Sequence, residues 1–280
     1  TARTTDRETG RVLASVILDG TVDDLFELQD RLVAELQNSL RLTTDSEQPN
    51  HPSRRDNVDN QPIEPSDNRS QTNDRTPVSI DGPAPPIAPQ TMSRDDEGRT
   101  TIRAVSLDDV ITVDGRLSET VYESVIPVSN FIQQVPNEGT PATEQTDAWV
   151  LFDDDNIYIS ARLFDSTPES NWIANEMQRD SFQLIFNDSF SVAFDTYYDR
   201  RNGVSFLVNP IGGMFDLEIT DEGNPNPDWN PIWEVQTGRF EDGWTVEMQI
   251  PFKSLRYEAS TDQVWGIQLG RTVQWKNEES

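Results

Sequence analysis

The chain has 280 residues with 50 acidic against 22 basic side chains, a formal net charge of −28, which repels phosphate backbones and anionic lipid and sets nucleic acid aside as a partner. It has no cysteine and one histidine, His51 in a polar, proline-rich stretch, which excludes disulfides, thiolate catalysis, Cys-type zinc sites and, in the C-terminal region, a Ser-His-Asp triad. No run of about 18 apolar residues occurs, so no helix of this sequence spans a membrane.

The chain starts at Thr1 without an initiator methionine and reads as a fragment of a longer protein. Residues 11–18 are β-branched and apolar, which suits a strand buried on both faces. Asp19-Gly20 forms a turn, and Thr21 is placed to cap a helix with Asp23 and Asp24 in its first turn. Leu25, Leu28, Leu32, Leu36 and Leu40 follow as one apolar stripe. One strand and one helix cannot close a core, so residues 1–42 form a strand–helix remnant of a truncated α/β domain. The wording of Thr9-Gly10-Arg11-Val12-Leu13 and Asp24-Leu25-Phe26-Glu27-Leu28-Gln29-Asp30 resembles the last strand and helix of TolB N-terminal-like (FlgO-like) bacterial domains.

Residues 43–100 hold nine of the 18 prolines and no aromatic residue. Such a stretch buries too little apolar surface to offset the entropy of ordering it, and the expectation is a disordered linker. Of 12 Phe, 7 Trp and 5 Tyr, only Phe26 precedes Tyr122. Aromatic side chains dominate cores, which puts the folded domain at 101–280. That region carries 31 acids against 11 bases.

From residue 101 short alternating runs are separated by turn residues. Residues 148–152 and 157–163 flank Asp153-Asp154-Asp155-Asn156, a hairpin. Residues 190–194 and 204–208 flank a tip with Arg201-Asn202-Gly203. Residues 233–237 and 244–250 flank Asp242-Gly243, a strong hairpin signal. Pro251 ends that strand, and residues 264–269 supply another. With only a brief helical turn at 118–125, the fold class is mainly β: an antiparallel sandwich, immunoglobulin-like or jelly-roll-like.

Four blocks stand in order in the C-terminal region: Ile111-Thr112-Val113-Asp114-Gly115-Arg116-Leu117-Ser118-Glu119, then Asp188-Ser189-Phe190 to Phe194-Asp195, then 206–213, and last Gly243-Trp244 to Leu255-Arg256. Together they resemble family 9 carbohydrate-binding-module-like domains. One subgroup stands before an outer-membrane β-barrel, and Trp265-Gly266-Ile267-Gln268, Arg271 and Trp275-Lys276-Asn277-Glu278-Glu279 are similar to that junction. The barrel, and a bacterial location in the periplasm or at the outer membrane, are implied by the resemblance. In the sugar-binding pattern of the family, the stacking Trp falls here on Ile185, the Glu on Ser191 and the Arg on Leu207. A pyranose site needs an aromatic face and polar forks, and this chain has lost both at those positions.

Other aromatics divide between core and ligand platform. Trp244, Trp265, Phe190, Phe194 and Phe206 lie on alternating strands and are assigned to the core. Trp229 lies in a rigid polar loop with Asn226, Asp228 and Asn230, and Trp172 sits in a second polar segment. These five residues are the candidate carbohydrate-binding set. For Trp229 the plainer role, folding back to plug the sandwich end, remains open beside it. Asp153-Asp154-Asp155-Asn156 invites calcium through its hard oxygens, although carboxylates at a hairpin tip usually face water. Asp180, Asp188, Asp195, Asp199 and Asp216 form a site only if the fold converges them.

The expected function is a non-catalytic carbohydrate-binding-like module of a bacterial envelope protein, serving polysaccharide degradation or uptake, with a neutral glycan as ligand and no obligatory cofactor. The alternative is an interaction or gating module for the β-barrel that binds no sugar. A glycoside hydrolase with paired carboxylates ranks behind both, because no nucleophile elbow, phosphate loop or zinc motif is present.

Overall fold

The computed structural model describes residues 2–5, 12–16 and 80–280, the last stretch apart from 108, 222–223 and 259–262. The chain divides into two units, residues 1–76 and 77–280. In the first, β1 (Ala2–Thr5) pairs antiparallel with β2 (Val12–Val16), within the apolar run at 11–18. The helix expected at 21–40 and the linker at 43–79 lie outside the described residues.

The second unit begins with structure where the composition predicts linker. β3 (Met92–Arg94) and β4 (Thr100–Ile102) form an antiparallel hairpin, so the disordered stretch expected over 43–100 does not extend to 100. The hairpin is stabilised from elsewhere in the chain. Thr91 Oγ1 donates to the Ile126 carbonyl and Thr101 Oγ1 to that of Pro83, at 2.8 and 2.7 Å. Such partners are invisible to a local count of apolar residues.

Next come β5 (Val105–Ser106), a one-turn helix α1 (Val121–Ser124), β6 (Thr146–Phe152), β7 (Asn156–Phe164), β8 (Ser189–Asp195) and β9 (Gly203–Val208). They are followed by β10 (Met214–Thr220), β11 (Asn224–Asn226), β12 (Glu234–Phe240), β13 (Gly243–Pro251), β14 (Gly266–Val273) and β15 (Glu278–Glu279). One sheet has the order β11-β10-β9-β8-β14-β15, and the other β12-β13-β7-β6-β5. The protein is mainly β, and the 77–280 unit is a sandwich in which only β5 and β6 pair in parallel among the named strands.

Period-2 alternation builds the core. Trp244, Val246, Met248 and Ile250 of β13 register with Leu163, Ala161, Ile159 and Ile157 of β7. They meet Phe190, Val192, Phe194, Phe206 and Val208 from β8 and β9 in one buried cluster. A second cluster covers the other face of the five-stranded sheet, where Ile111, Leu117 and Tyr122 pack on Trp149, Leu151 and Tyr158. The 111–125 segment is therefore a third layer.

Two turns show why the strands stop where they do. Asp153 Oδ1 accepts the N–H groups of Asp155 and Asn156 at 2.8 and 2.7 Å, closing the β6–β7 hairpin. Gly243, expected in a turn, instead pairs with Phe240 as the first residue of β13. A Cβ there would lie 2.0 Å from the Leu163 carbonyl oxygen, so close approach of β7 demands the glycine.

Strand β10 inverts the usual rule. Asp216 registers with the core residue Phe206 and is fully buried, while Phe215 and Leu217 lie on the opposite face. The buried carboxylate is compensated on one oxygen: Arg179 Nη2 and Trp233 Nε1 donate to its Oδ2 at 2.7 and 3.0 Å, while Oδ1 has no hydrogen-bond partner. Burial still pushes the Asp216 carboxyl above its ordinary range.

Candidate functional site

Seven aromatic rings join into a continuous chain at one end of the sandwich. Phe194 and Phe206, neighbours on β8 and β9, lie at 6.4 Å between centroids. Phe206 meets Trp233 edge-on at 5.1 Å and Trp229 at 5.6 Å. On the other side Phe194 meets Trp265 at 5.9 Å, and Trp265 contacts Phe252 at 6.1 Å and Tyr257 at 5.6 Å. Each such pair contributes about 0.5–1.5 kcal/mol beyond its buried area. The chain runs from fully buried Phe206 to Tyr257, whose side is open to solvent at 37 % exposure.

Polar groups gather beside the open end. Asn226, on the edge strand β11, registers with Glu218 of β10 and donates from Nδ2 to Glu218 Oε2 at 3.1 Å. Glu218 points to the inner face, two residues beyond buried Asp216. Its Oε1 lies 3.7 Å from Arg256 Nη1, and Arg256 directly precedes Tyr257. The Arg256 carbonyl is fixed by the Thr196 hydroxyl. The site thus combines strand-held Asn226 and Glu218 with a loop held at a second point. Rings with polar forks at their margin fit a pyranose, whose C–H face packs on aromatics while its hydroxyls hydrogen-bond.

The five residues expected at a carbohydrate site are distributed as follows. Trp229 is half-buried, with its ring on Phe206, and its N–H reaches the Asn226 carbonyl at 3.4 Å. It is therefore one wall of the ring chain rather than a free platform. Asn226 stands beside it, partly buried, while Asp228 and Asn230 flank it exposed. Trp172 makes its cationic contact elsewhere, with the Arg239 guanidinium of β12 5.2 Å from the ring centroid. Its indole Nε1 is buried without a hydrogen-bond partner. Tyr257, Glu218 and Arg256 escaped the sequence reading. The one available signal was Arg256-Tyr257 following the Pro251–Leu255 block.

Two of the three positions that match the family's sugar-binding pattern come together. Ser191 and Leu207 are directly paired on β8 and β9, on the face of the six-stranded sheet away from the core. A Cβ on Gly270 would lie 2.7 Å from Ser191 Oγ, so β14 approaches closely there, while Phe215 of β10 registers with Leu207 on the other side. Ile185 is partly exposed nearby in sequence to Phe182, whose exposed ring leans on Phe215 at 5.6 Å.

At the Asp153-Asp154-Asp155-Asn156 tip, Asp153 also accepts the Tyr158 hydroxyl at 2.8 Å, so its oxygens are engaged by the hairpin itself. Burial, then this bond, push the Tyr158 hydroxyl up to about 12. Among the described residues no group of three or more His, Cys, Asp or Glu is placed to hold a metal ion.

The family described as carbohydrate family 9 binding domain-like matches residues 113–275. Two similar solved structures are family 9 carbohydrate binding modules from Caldicellulosiruptor kristjanssonii. One, in complex with glucose, shares 15 % identity over 60 % of this chain and 78 % of that one, with a TM-score of 0.40. The other, in complex with cellotriose, shares 14 % identity over 63 % and 80 %, with a TM-score of 0.42. No curated protein matches.

Proposed function

The chain belongs to the carbohydrate family 9 binding domain-like family, and on that footing we propose that its 77–280 unit is a non-catalytic glycan-binding module of a bacterial envelope protein, in the periplasm or at the outer membrane. The ligand is a neutral glycan, and the setting is polysaccharide degradation or uptake. One observation carries the reading: the ring chain ends on exposed Tyr257, and the preceding residue, Arg256, faces Glu218, which Asn226 holds. The acidic surface supports a neutral ligand over an anionic one. A glycan array probed with the 280-residue chain tests it. Binding to a neutral oligosaccharide that weakens in Tyr257→Ala is the expected result, and flat responses across all glycans count against it.

A second reading is a module that docks on or gates an outer-membrane β-barrel of the same polypeptide and binds no sugar. It is favoured by the Ser191–Leu207 pair standing where the family pattern has Glu and Arg, and by exposed Met177, Phe182 and Ile185. Flat glycan responses together with retention of the purified barrel region by this chain would favour it.

A further inference from the structure

We infer that Glu218 and Arg256 form the polar fork that selects the ligand at this end of the sandwich, gripping neighbouring hydroxyls of a sugar ring. The inference rests on the glycan-binding reading and adds to it the residues that read the ligand and the chemical feature they read.

Glu218 Oε1 and Arg256 Nη1 stand 3.7 Å apart, too far for a direct hydrogen bond. Glu218 is nonetheless held in place, and Arg256 is held at its backbone. Glu218 sits on a strand and is pinned through its other oxygen by Asn226 at 3.1 Å. Arg256 is anchored through its carbonyl by Thr196, while its side chain is 82 % exposed. The Glu218 side chain is 20 % exposed, open on one side only. The pair therefore offers an unfilled acceptor next to an unfilled set of donors.

A sugar hydroxyl is both donor and acceptor. One hydroxyl donating to Glu218 Oε1 and its neighbour accepting from Arg256 satisfies both side chains, and hydrogen bonds to charged groups are the stronger kind. Tyr257 is covalently next to Arg256 and packs on Trp265 at 5.6 Å, which puts an aromatic ring for a sugar's C–H face one residue along the chain from the fork. A Glu and an Arg thus reappear on β10 and the loop after β13, away from the Ser191 and Leu207 positions of β8 and β9 where the family pattern has them. The fork has no use for a ligand whose hydroxyls are capped.

The test uses the full 280-residue chain and calorimetry with cellotriose, laminaritriose and mannotriose, each also as its permethylated derivative. For the trisaccharide that binds, Glu218→Gln and Arg256→Gln are each expected to weaken binding about tenfold or more, and the permethylated form to lose binding. Both side chains reach solvent, and an unchanged thermal midpoint verifies that the variants fold. If the native chain binds a trisaccharide and both variants bind it equally well, the fork is wrong while the glycan-binding reading stands. Equal affinity for the permethylated form also overturns the fork. If no trisaccharide and no array glycan binds the native chain, both readings fall together.

Discussion

The Tyr122 hydroxyl donates to Glu247 Oε1 at 2.9 Å, joining the one-turn helix to the centre of β13 across 125 residues of sequence. Glu247 Oε2 takes the N–H groups of Asp114 and Gly115 at 3.0 and 2.8 Å. The most recognisable stretch of the family resemblance, Val113-Asp114-Gly115-Arg116-Leu117, is therefore a cradle for a buried carboxylate. It straps the third layer to the sheet.

Removing that carboxylate leaves three donors without their acceptor. Glu247→Ala is expected to cost about 3–5 kcal/mol, against about 1 kcal/mol for Tyr122→Phe, which deletes one bond. Glu247→Gln falls between them, since one amide oxygen still serves the two backbone N–H groups. Urea unfolding measures all three. A loss below about 1 kcal/mol for Glu247→Ala would mean that the strap is dispensable.

Acid is expected to stabilise the fold before it destroys it. Asp165, Asp188, Asp216 and Glu247 have carboxyls raised above their ordinary range, in each case chiefly by burial. A raised folded-state value contributes stability that is complete below the ordinary value and is lost as pH rises through the folded one. Glu144 has the opposite sign. Burial works against its ionised form, but the bonds from Lys276 and Ser166 outweigh it and hold the carboxyl low; its contribution is lost as pH falls through that lowered value. Urea midpoints should therefore rise from neutral pH towards the ordinary carboxylate range near about 4 and fall below it. A steady decline from neutral downward contradicts this.

Two glycines separate backbone conformation from packing. Gly115 and Gly98 have nearly equal positive φ, 80° and 83°. A Cβ on Gly115 would lie 2.7 Å from the Thr237 carbonyl atoms, whereas one on Gly98 would meet nothing within 4 Å. Gly98→Ala should cost about 1 kcal/mol and Gly115→Ala about 2–4 kcal/mol, read as thermal midpoints. Equal costs would show that the β12 contact yields freely.

The ring chain makes a paired prediction about Trp229 and Tyr257. Trp229 packs on the core ring Phe206, so Trp229→Ala should lower stability by about 3 kcal/mol as well as weaken glycan binding. Exposed Tyr257→Ala should weaken binding with less than about 1 kcal/mol of destabilisation. Thermal melts and calorimetry on both variants decide; a Trp229→Ala chain of native stability would return Trp229 to the role of a free platform.

Much of the sandwich was legible because burial on one face imposes period 2 on a strand. The Asp153–Asn156 tip, the runs around Phe190 and Phe206, and the closing Trp244 strand all lie where their patterns put them. Strand β10 was not legible. Its alternation is present, but Asp216 and Glu218 face inward, and no local pattern says that Arg179 and Trp233 will be there to receive a buried carboxylate. Arg271 is a further case: nearly fully buried, it is satisfied by the carbonyls of Gln145 and Phe164 more than 100 positions away.

The sequence by itself determined the β class, the anion-repelling charge and the family. These follow from composition and from short-range periodicity, which a chain carries without folding. Only the tertiary structure decided which aromatics remain open. Trp229, conspicuous in a polar loop, turns in against Phe206, while Tyr257 reaches solvent next to Arg256, the residue that faces Glu218. Exposure and convergence depend on how two sheets close over one another, and Glu218, Asn226 and Arg256 become neighbours only when β10, β11 and the loop after β13 are brought together.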